Sequence, residues 1–313
     1  MRVVPIIAGP TAAGKTALAV ALALDSPLAP GEVISADAFQ VYRGMDLGTG
    51  KPTPDERRGV PHHVLDVVEP TEPFTVSHWL ALAHAAVTES LARGHTPIIA
   101  GGTHLYIKAL LDGLLDAPAA DEALRAELAR LPAPDLRAEL LRVDSLAASR
   151  IHPNDRRRTI RAIEVFRLTG RPLSTQQSQW DSGGPDEFWA RAGAVPRLVI
   201  LDWPGEAINL RINARVRDMF DAGLLGEVRS LLAAKRLGPQ AREALGYRQI
   251  ADHLEGRGTL DDALERTKIE TRRFAKNQRT WLRRLRSTPG SVVLDPLSTP
   301  LADMLIRIAS PPS

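Results

Sequence analysis

The chain has 313 residues, 44% of them hydrophobic and 25% charged, with a formal net charge of +3 and no cysteine. This composition suits a globular protein with two domains, or one domain carrying a large insertion; it excludes disulfides, thiolate metal sites and thiol catalysis, and no apolar run reaches the about 18 residues of a membrane span. Residues 1–120 carry 8 Lys+Arg against 12 Asp+Glu and residues 121–313 carry 32 against 25, so the second part is suited to meet a polyanion.

The first strand is expected at 3–8. It lacks a signal peptide's cationic start, long apolar stretch and small-residue cleavage site, so a cytoplasmic location is expected. The strand runs into Gly9-Pro10-Thr11-Ala12-Ala13-Gly14-Lys15-Thr16 and then a helix from Ala17 to about Leu24, a complete G-x-x-x-x-G-K-[ST] phosphate loop in its strand–loop–helix setting. Glycines let backbone N–H groups converge on phosphate oxygens, the helix N-terminus adds positive potential, Lys15 supplies a point charge and Thr16 can hold Mg²⁺. The motif alone does not separate ATP or GTP from another diphosphate.

Further strands are expected at 32–36, 64–68, 97–100, 198–203 and 292–294, separated by helical stretches. The pattern predicts an α/β fold, a P-loop parallel sheet with helices on both faces. The second strand ends at Asp37, at a carboxyl edge where such sheets bind ligands. Asp37 could orient Mg²⁺ through water, accept a proton from an acceptor substrate, or cap its loop. His62 and His63 point in different directions on extended chain and have no third ligand at helical spacing, which favours a supporting role over a metal site. The strand at 97–100 ends in Gly101-Gly102-Thr103-His104-Leu105-Tyr106, where the glycines permit close backbone approach and Thr103 either faces the same crevice or caps the next helix.

Strand signals vanish between about 116 and 196, where the sequence becomes helical, arginine-rich and punctuated by proline. A catalytic core of 1–116 and 196–313 with a helical insertion at 117–195 is therefore expected. Within the insertion Asn154 or Asp155 caps a helix carrying Arg156, Arg157, Arg158 and Arg161, and cations near a helix N-terminus oppose its dipole, which favours an anionic partner over a stabilising role. Arg211 and Arg215, one turn apart, form either a phosphate clamp or an ordinary exposed face. In the last long helix Lys268, Arg272, Lys276, Arg279, Arg283 and Arg286 fall on one stripe, with Phe274, Trp281 and Leu285 opposite as the expected anchor.

These segments together resemble the tRNA dimethylallyltransferases, or tRNA isopentenyltransferases. The resemblance rests on residues 9–16, on 35–42 with Gly44-Met45-Asp46-Leu47-Gly48-Thr49-Gly50-Lys51-Pro52, and on Pro61-His62-His63, 101–106, 150–155, Gly246-Tyr247-Arg248 and 271–283, in order along nearly the whole chain. It implies attack by the exocyclic amine of the adenine 3′ to the anticodon on the allylic carbon of dimethylallyl diphosphate, with the P-loop and Mg²⁺ holding the diphosphate. By position it implies Asp37 as general base, Thr103 as a positioning group, and Arg215 with Lys15 on the leaving group. It implies tRNA contacts at Asp37, Ala38, Phe39, Gln40, Thr103, Arg125, Arg157, Arg158, Thr159, Ile160, Arg161, Gly246, Tyr247, Arg248, Lys276, Arg279 and Arg283, with the insertion clamping the anticodon stem-loop of a tRNA bound by a monomer. Ala38 stands where the family commonly has serine, Gly50 where it has alanine and Asn277 where it has a basic residue. The competing expectations are a small-molecule or nucleoside kinase, and a non-catalytic RNA-binding switch protein that senses a nucleotide.

Overall fold

The structure, a computed structural model, describes residues 2–114, 118–175 and 187–310. It divides into two compact units, one formed by Met1–Ala109 with Glu187–Ser313 and the other by Leu110–Asp186.

The first unit is built on six parallel strands in the order β3-β2-β4-β1-β5-β6. β1 (Arg2–Ala8), β2 (Gly31–Ala36), β3 (His62–His63), β4 (Thr96–Gly101), β5 (Ala194–Leu201) and β6 (Val292–Leu294) are short runs, the longer ones rich in Val, Ile and Leu. Both faces of such runs must be covered, so the central strands are buried almost throughout. Helix Lys15–Asp25 covers one face with Leu18, Ala19, Leu22 and Ala23, and helix Val76–Ala92 brings Trp79, fully buried, to donate its indole N–H to the Ser35 carbonyl. Five of the expected strands form, 292–294 with the ends expected and the other four with shifted ends, but 64–68 does not. Val64 and Asp66 adopt left-handed φ of 61° and 54°, so pairing stops after His62–His63 and resumes only as the bridge of Tyr42 with Val68.

β2 carries Glu32, 1% exposed, at the edge remote from the P-loop. Arg93 grips it bidentately at 2.9 and 2.7 Å, Ser90 donates at 2.8 Å, and His63 and His95 lie at 2.6 and 2.7 Å. His63 thus acts as a sheet-edge support, and His62 reaches the Val60 carbonyl at 2.9 Å. The Arg93 guanidinium, aided by Ser90 and the two histidines, holds the Glu32 carboxyl far below the usual carboxylate range. A depressed carboxylate pKa contributes stability above about pH 4.3, lost as pH falls toward the folded value. Glu32→Gln is expected to cost on the order of 3 kcal/mol in urea unfolding at pH 7, because the buried carboxylate's charge-assisted hydrogen bonds from the exposed Arg93 guanidinium are lost. The gap from wild type should narrow below about pH 4; a gap independent of pH would mean that packing, not charge, holds this cluster.

The second unit has its own core of Leu128, Leu136, Leu140, Ala148, Ile163 and Val165, drawn from helices Glu122–Arg130, Ala133–Val143, Ser145–Arg150 and Arg156–Thr169. Buried Asp144 caps Ser145–Arg150 through the Ala147 N–H and also accepts the Ser174 N–H and hydroxyl. The unit begins earlier and ends earlier than the 117–195 read from the sequence. Helix Glu187–Arg191 belongs with the sheet: Trp189 is 2% exposed, and Phe188 stacks on His84 at 3.7 Å between ring centroids. Among the described residues no helix is long and apolar enough to cross a membrane.

Candidate active site

β2, β4 and β1 are neighbours, and the register Ala8↔Gly101 and Ala36↔Gly101 brings their carboxyl ends level. The P-loop, Asp37 and Thr103, each following one of these strands, therefore leave the sheet side by side. Gly101 makes this possible, since a Cβ there would overlap the Ala36 backbone.

In the P-loop Gly14 takes φ 83° as N-cap of Lys15–Asp25, and Ala12 takes φ 63°. That turn is held from outside: Arg211 Nε donates to the Ala12 carbonyl at 2.8 Å, Trp203 Nε1 to the Ala13 carbonyl at 3.1 Å, and the Arg211 guanidinium lies 4.7 Å from the Trp203 ring centroid. Arg211 is thereby a brace for the loop. Lys15 folds back to donate to the Pro10 carbonyl at 2.9 Å. Burial pushes its ammonium down to about 8, with Asp37 opposing the shift and Arg215 adding to it. Burial also lowers Arg215, again opposed by Asp37. Two unwilling cations and one carboxylate thus share a site short of negative charge, which a diphosphate would supply.

Asp37 is oriented by its own loop. Its Oδ1 accepts the N–H groups of Phe39 at 2.9 Å and Gln40 at 3.3 Å, and Oδ2 takes no hydrogen bond from another described residue. Thr103 Oγ1 accepts the Ala38 N–H at 3.0 Å, while its own N–H donates to the Ala36 carbonyl at 3.2 Å. The expected alternatives for these residues merge: each is tied to its loop and also faces the crevice. Gln40 accepts the Ser35 hydroxyl and donates to the carbonyls of Thr49 and Gly50 at 3.4 and 3.1 Å, so its donors are spent on the loop. Gly50, at φ 57°, lies against the Arg215 guanidinium, and any side chain there would overlap it. Alanine's absence at this position leaves Arg215 its place beside the backbone.

A cavity of about 700 Å³ opens on these groups. Its polar wall includes Thr11, Asp37, Thr103 and Arg215, and its apolar wall includes Ile212, Val216 and Met219 from helix Gly205–Asp221, with Leu245 and Phe274. Thr16 is half-buried and makes no hydrogen bond with another described side chain, so its hydroxyl suits a Mg²⁺ ligand, and Mg²⁺ commonly takes few protein ligands beside phosphate oxygens.

Helix Leu260–Leu285 corrects the expected stripe. Its buried side is Ala263, Thr267, Lys268, Thr271, Ala275, Gln278 and Leu282. Lys268 is only 4% exposed and pairs with Glu265 at 2.6 Å, and Arg272 donates to Asn213 at 2.6 Å. Phe274, expected as an anchor, is 41% exposed and lines the cavity, as does Asn277. Lys276 and Arg283 do face outward; Arg279 is half-buried against Gly205.

Other expected RNA contacts also divide. Tyr247 is fully buried, with its hydroxyl on Glu227, which in turn accepts the Leu47 N–H at 2.9 Å; a Cβ at Gly48 would strike the Tyr247 ring. Tyr247 therefore props the 46–50 loop and cannot touch RNA directly, while Gly246 takes φ 91° to start helix Tyr247–Leu254. Arg248 is held by Glu243 at 3.0 Å and by Glu270. In the second unit Thr159 is buried and bonded to the Asp155 carbonyl, which removes it as a contact, and Ile160 is half-buried. Arg125 and Arg161 both pin on fully buried Glu164, at 2.8 and 2.6 Å, leaving the pair one surplus positive charge. Asp155 is the N-cap, Arg156 clamps the carbonyls of Ala129 and Leu131, and Arg157 and Arg158 are exposed.

Three features of the site escape a reading of the motifs: the Trp203–Arg211 brace, the Glu227–Tyr247 prop, and Gln278, whose amide reaches the P-loop from the last long helix. A polar residue in register with Ala275 and Leu282 is the only trace of Gln278's role that the sequence carries.

The family model described as IPP transferase matches residues 40–285, and that described as Isopentenyl transferase matches residues 2–69. The chain is 45% identical over 285 residues to a tRNA dimethylallyltransferase of Geobacillus kaustophilus, covering 90% of this chain and 87% of that one. It is 46% identical over 290 residues to the tRNA dimethylallyltransferase of Anaeromyxobacter dehalogenans, covering 91% of each. Among solved structures, the full-length tRNA isopentenylpyrophosphate transferase of Bacillus halodurans aligns with a TM-score of 0.68 at 35% identity, over 98% of this chain and 94% of that one. A eukaryotic dimethylallyltransferase acting on tRNA aligns with a TM-score of 0.76 at 27% identity, over 96% and 75%.

Proposed function

The chain belongs to the IPP transferase family, and from that premise we propose that it transfers a dimethylallyl group from dimethylallyl diphosphate to the exocyclic amine of the adenine 3′ to the anticodon in tRNA. The observation that carries this reading is the cavity shared by the P-loop, Asp37, Thr103 and Arg215, whose lining also presents the apolar side chains of Ile212, Val216 and Met219. A diphosphate suits the P-loop end, a five-carbon chain suits Ile212, Val216 and Met219, and an amine suits the Asp37 carboxylate.

In the reaction the amine nitrogen bonds to the allylic carbon as the carbon–oxygen bond breaks, and the electron pair leaves with pyrophosphate. Asp37 Oδ2 takes the proton that the amine loses. Thr103, its Oγ1 already accepting from Ala38, keeps a hydroxyl proton for the acceptor or the diphosphate. The P-loop N–H groups, Lys15 and Arg215 meet charge that grows on the leaving oxygens, so they stabilise the transition state more than the ground state. Mg²⁺, held by Thr16 with the diphosphate, would add electrostatic stabilisation of that charge. RNA would be met by exposed cations, among them Arg157, Arg158, Lys276 and Arg283.

Purified protein incubated with labelled dimethylallyl diphosphate and unmodified tRNA should label the tRNA and release pyrophosphate. Release of ADP from ATP without tRNA would instead support the kinase reading. Lys276→Glu with Arg283→Glu should raise the tRNA KM about tenfold or more and flatten its salt dependence, leaving thermal melting unchanged because both side chains are exposed. An unchanged salt slope would move the RNA to another face.

A further inference from the structure

Gln278 lies on the buried side of helix Leu260–Leu285, 5% exposed, and spends both ends of its amide on two different loops. Its Oε1 accepts the Thr11 N–H of the P-loop at 3.0 Å, and its Nε2 donates to the Gly102 carbonyl at 2.8 Å. Gly102 must be glycine for this approach, since a Cβ there would overlap the Gln278 amide nitrogen. The next residue, Thr103, fixes the Ala38 N–H beside Asp37. A continuous line of hydrogen bonds therefore runs from Thr11 through Gln278 and Gly102–Thr103 to the loop that carries the carboxylate.

We propose that Gln278 is a positioning residue that sets the distance between the diphosphate loop and the Asp37–Thr103 half of the site, a role that rests on the transfer reaction proposed above. Gln278 contacts neither reacting atom; it acts through the backbone of Thr11 and Gly102. Strands β1 and β4 are paired only up to Ala8 and Gly101, so beyond them no sheet hydrogen bond registers one loop against the other. An amide suits this task because at any ordinary pH it offers an acceptor and a donor at a fixed separation without charge. An ionised carboxylate would set an acceptor against the Gly102 carbonyl and place a negative charge beside the phosphate loop. A protonated carboxyl would restore both bonds, its carbonyl accepting from Thr11 and its O–H donating to Gly102.

The test compares Gln278→Leu and Gln278→Glu with wild type in single-turnover transfer, using dimethylallyl diphosphate and unmodified tRNA at saturation, with thermal melts alongside. Gln278→Leu should fall about 100-fold in rate, as for a small misplacement of reacting groups, with both KM values within about threefold of wild type. Gln278→Glu should be impaired at pH 8 and recover relative to wild type toward pH 6, because burial and the facing carbonyl raise the new carboxyl's pKa into that range. A wild-type rate in Gln278→Leu, or a Gln278→Glu to wild-type ratio independent of pH, would overturn the positioning role. If the leucine variant fails to fold, the pH dependence of the glutamate variant decides. Failure of the wild-type protein itself to transfer the group would instead overturn the reaction assignment.

Discussion

Asp37→Asn is expected to lower the single-turnover rate by about two to four orders of magnitude, the range for loss of a general base. The substitution is nearly isosteric and should keep the local geometry. The carbonyl oxygen of the new amide can still accept the Phe39 and Gln40 N–H groups that now orient Asp37 Oδ1, so the loop, the Ala38–Thr103 hydrogen bond and the cavity should persist. What disappears is the basic oxygen Oδ2, replaced by an amide nitrogen that donates rather than accepts. Donor and tRNA affinity should therefore change little beside the rate, and thermal melting should stay near wild type. Near-normal single-turnover rates would remove Asp37 from the proton transfer and leave it a loop cap.

Lys15→Ala is expected to weaken donor binding about 100-fold or more, with a further loss in the chemical step, because the ammonium meets charge that increases as pyrophosphate departs. Burial that pushes Lys15 down to about 8 adds a pH signature. In free wild-type protein the ammonium loses its proton as pH rises through about 8, so the donor KM should climb there; the alanine variant, having no such proton, should show no climb from this source. The stability effect has the opposite sense. A lysine whose folded pKa lies below its unfolded value binds fewer protons when folded, so stability rises with pH between the two values, and the cost of charging Lys15 is fully present below about pH 8. Lys15→Ala should thus melt at or above the wild-type temperature at pH 7, a residue kept for binding at the expense of stability. Wild-type donor affinity in this variant would show that the diphosphate lies elsewhere.

Residues 9–16 were legible as a phosphate loop because the motif is local: strand, glycine turn and helix N-terminus lie consecutively in the chain, and backbone geometry follows from them. Asp37 and Thr103 were legible for a related reason, since each follows a buried strand whose direction in a parallel sheet assigns its end to the ligand edge. The Glu32 cluster was not. Glu32, His63 and the segment 90–95 that carries Ser90, Arg93 and His95 are three separate stretches of chain, and only pairing of β2 with β3, and packing of helix Val76–Ala92 with the strand after it, brings them together.

The last long helix marks the division most clearly. Its period of about 3.6 residues was determined by the sequence, and so was its cationic character, along with the P-loop, the α/β class and the family resemblance. Which face would be packed was decided by the tertiary structure. Periodicity assigns the anchoring to Phe274, Trp281 and Leu285, yet the side that the helix buries is Ala263, Thr267, Lys268, Thr271, Ala275, Gln278 and Leu282, with Trp281 and Leu285 only half-buried and Phe274 exposed. Gln278 meets the Thr11 and Gly102 backbone there, an approach with no space for a large side chain, and that leaves Phe274 at the cavity. The Thr11–Gln278 hydrogen bond spans 267 residues of sequence. No local propensity encodes such a partner; it exists only after the sheet has set where the P-loop lies and the helix has packed across it.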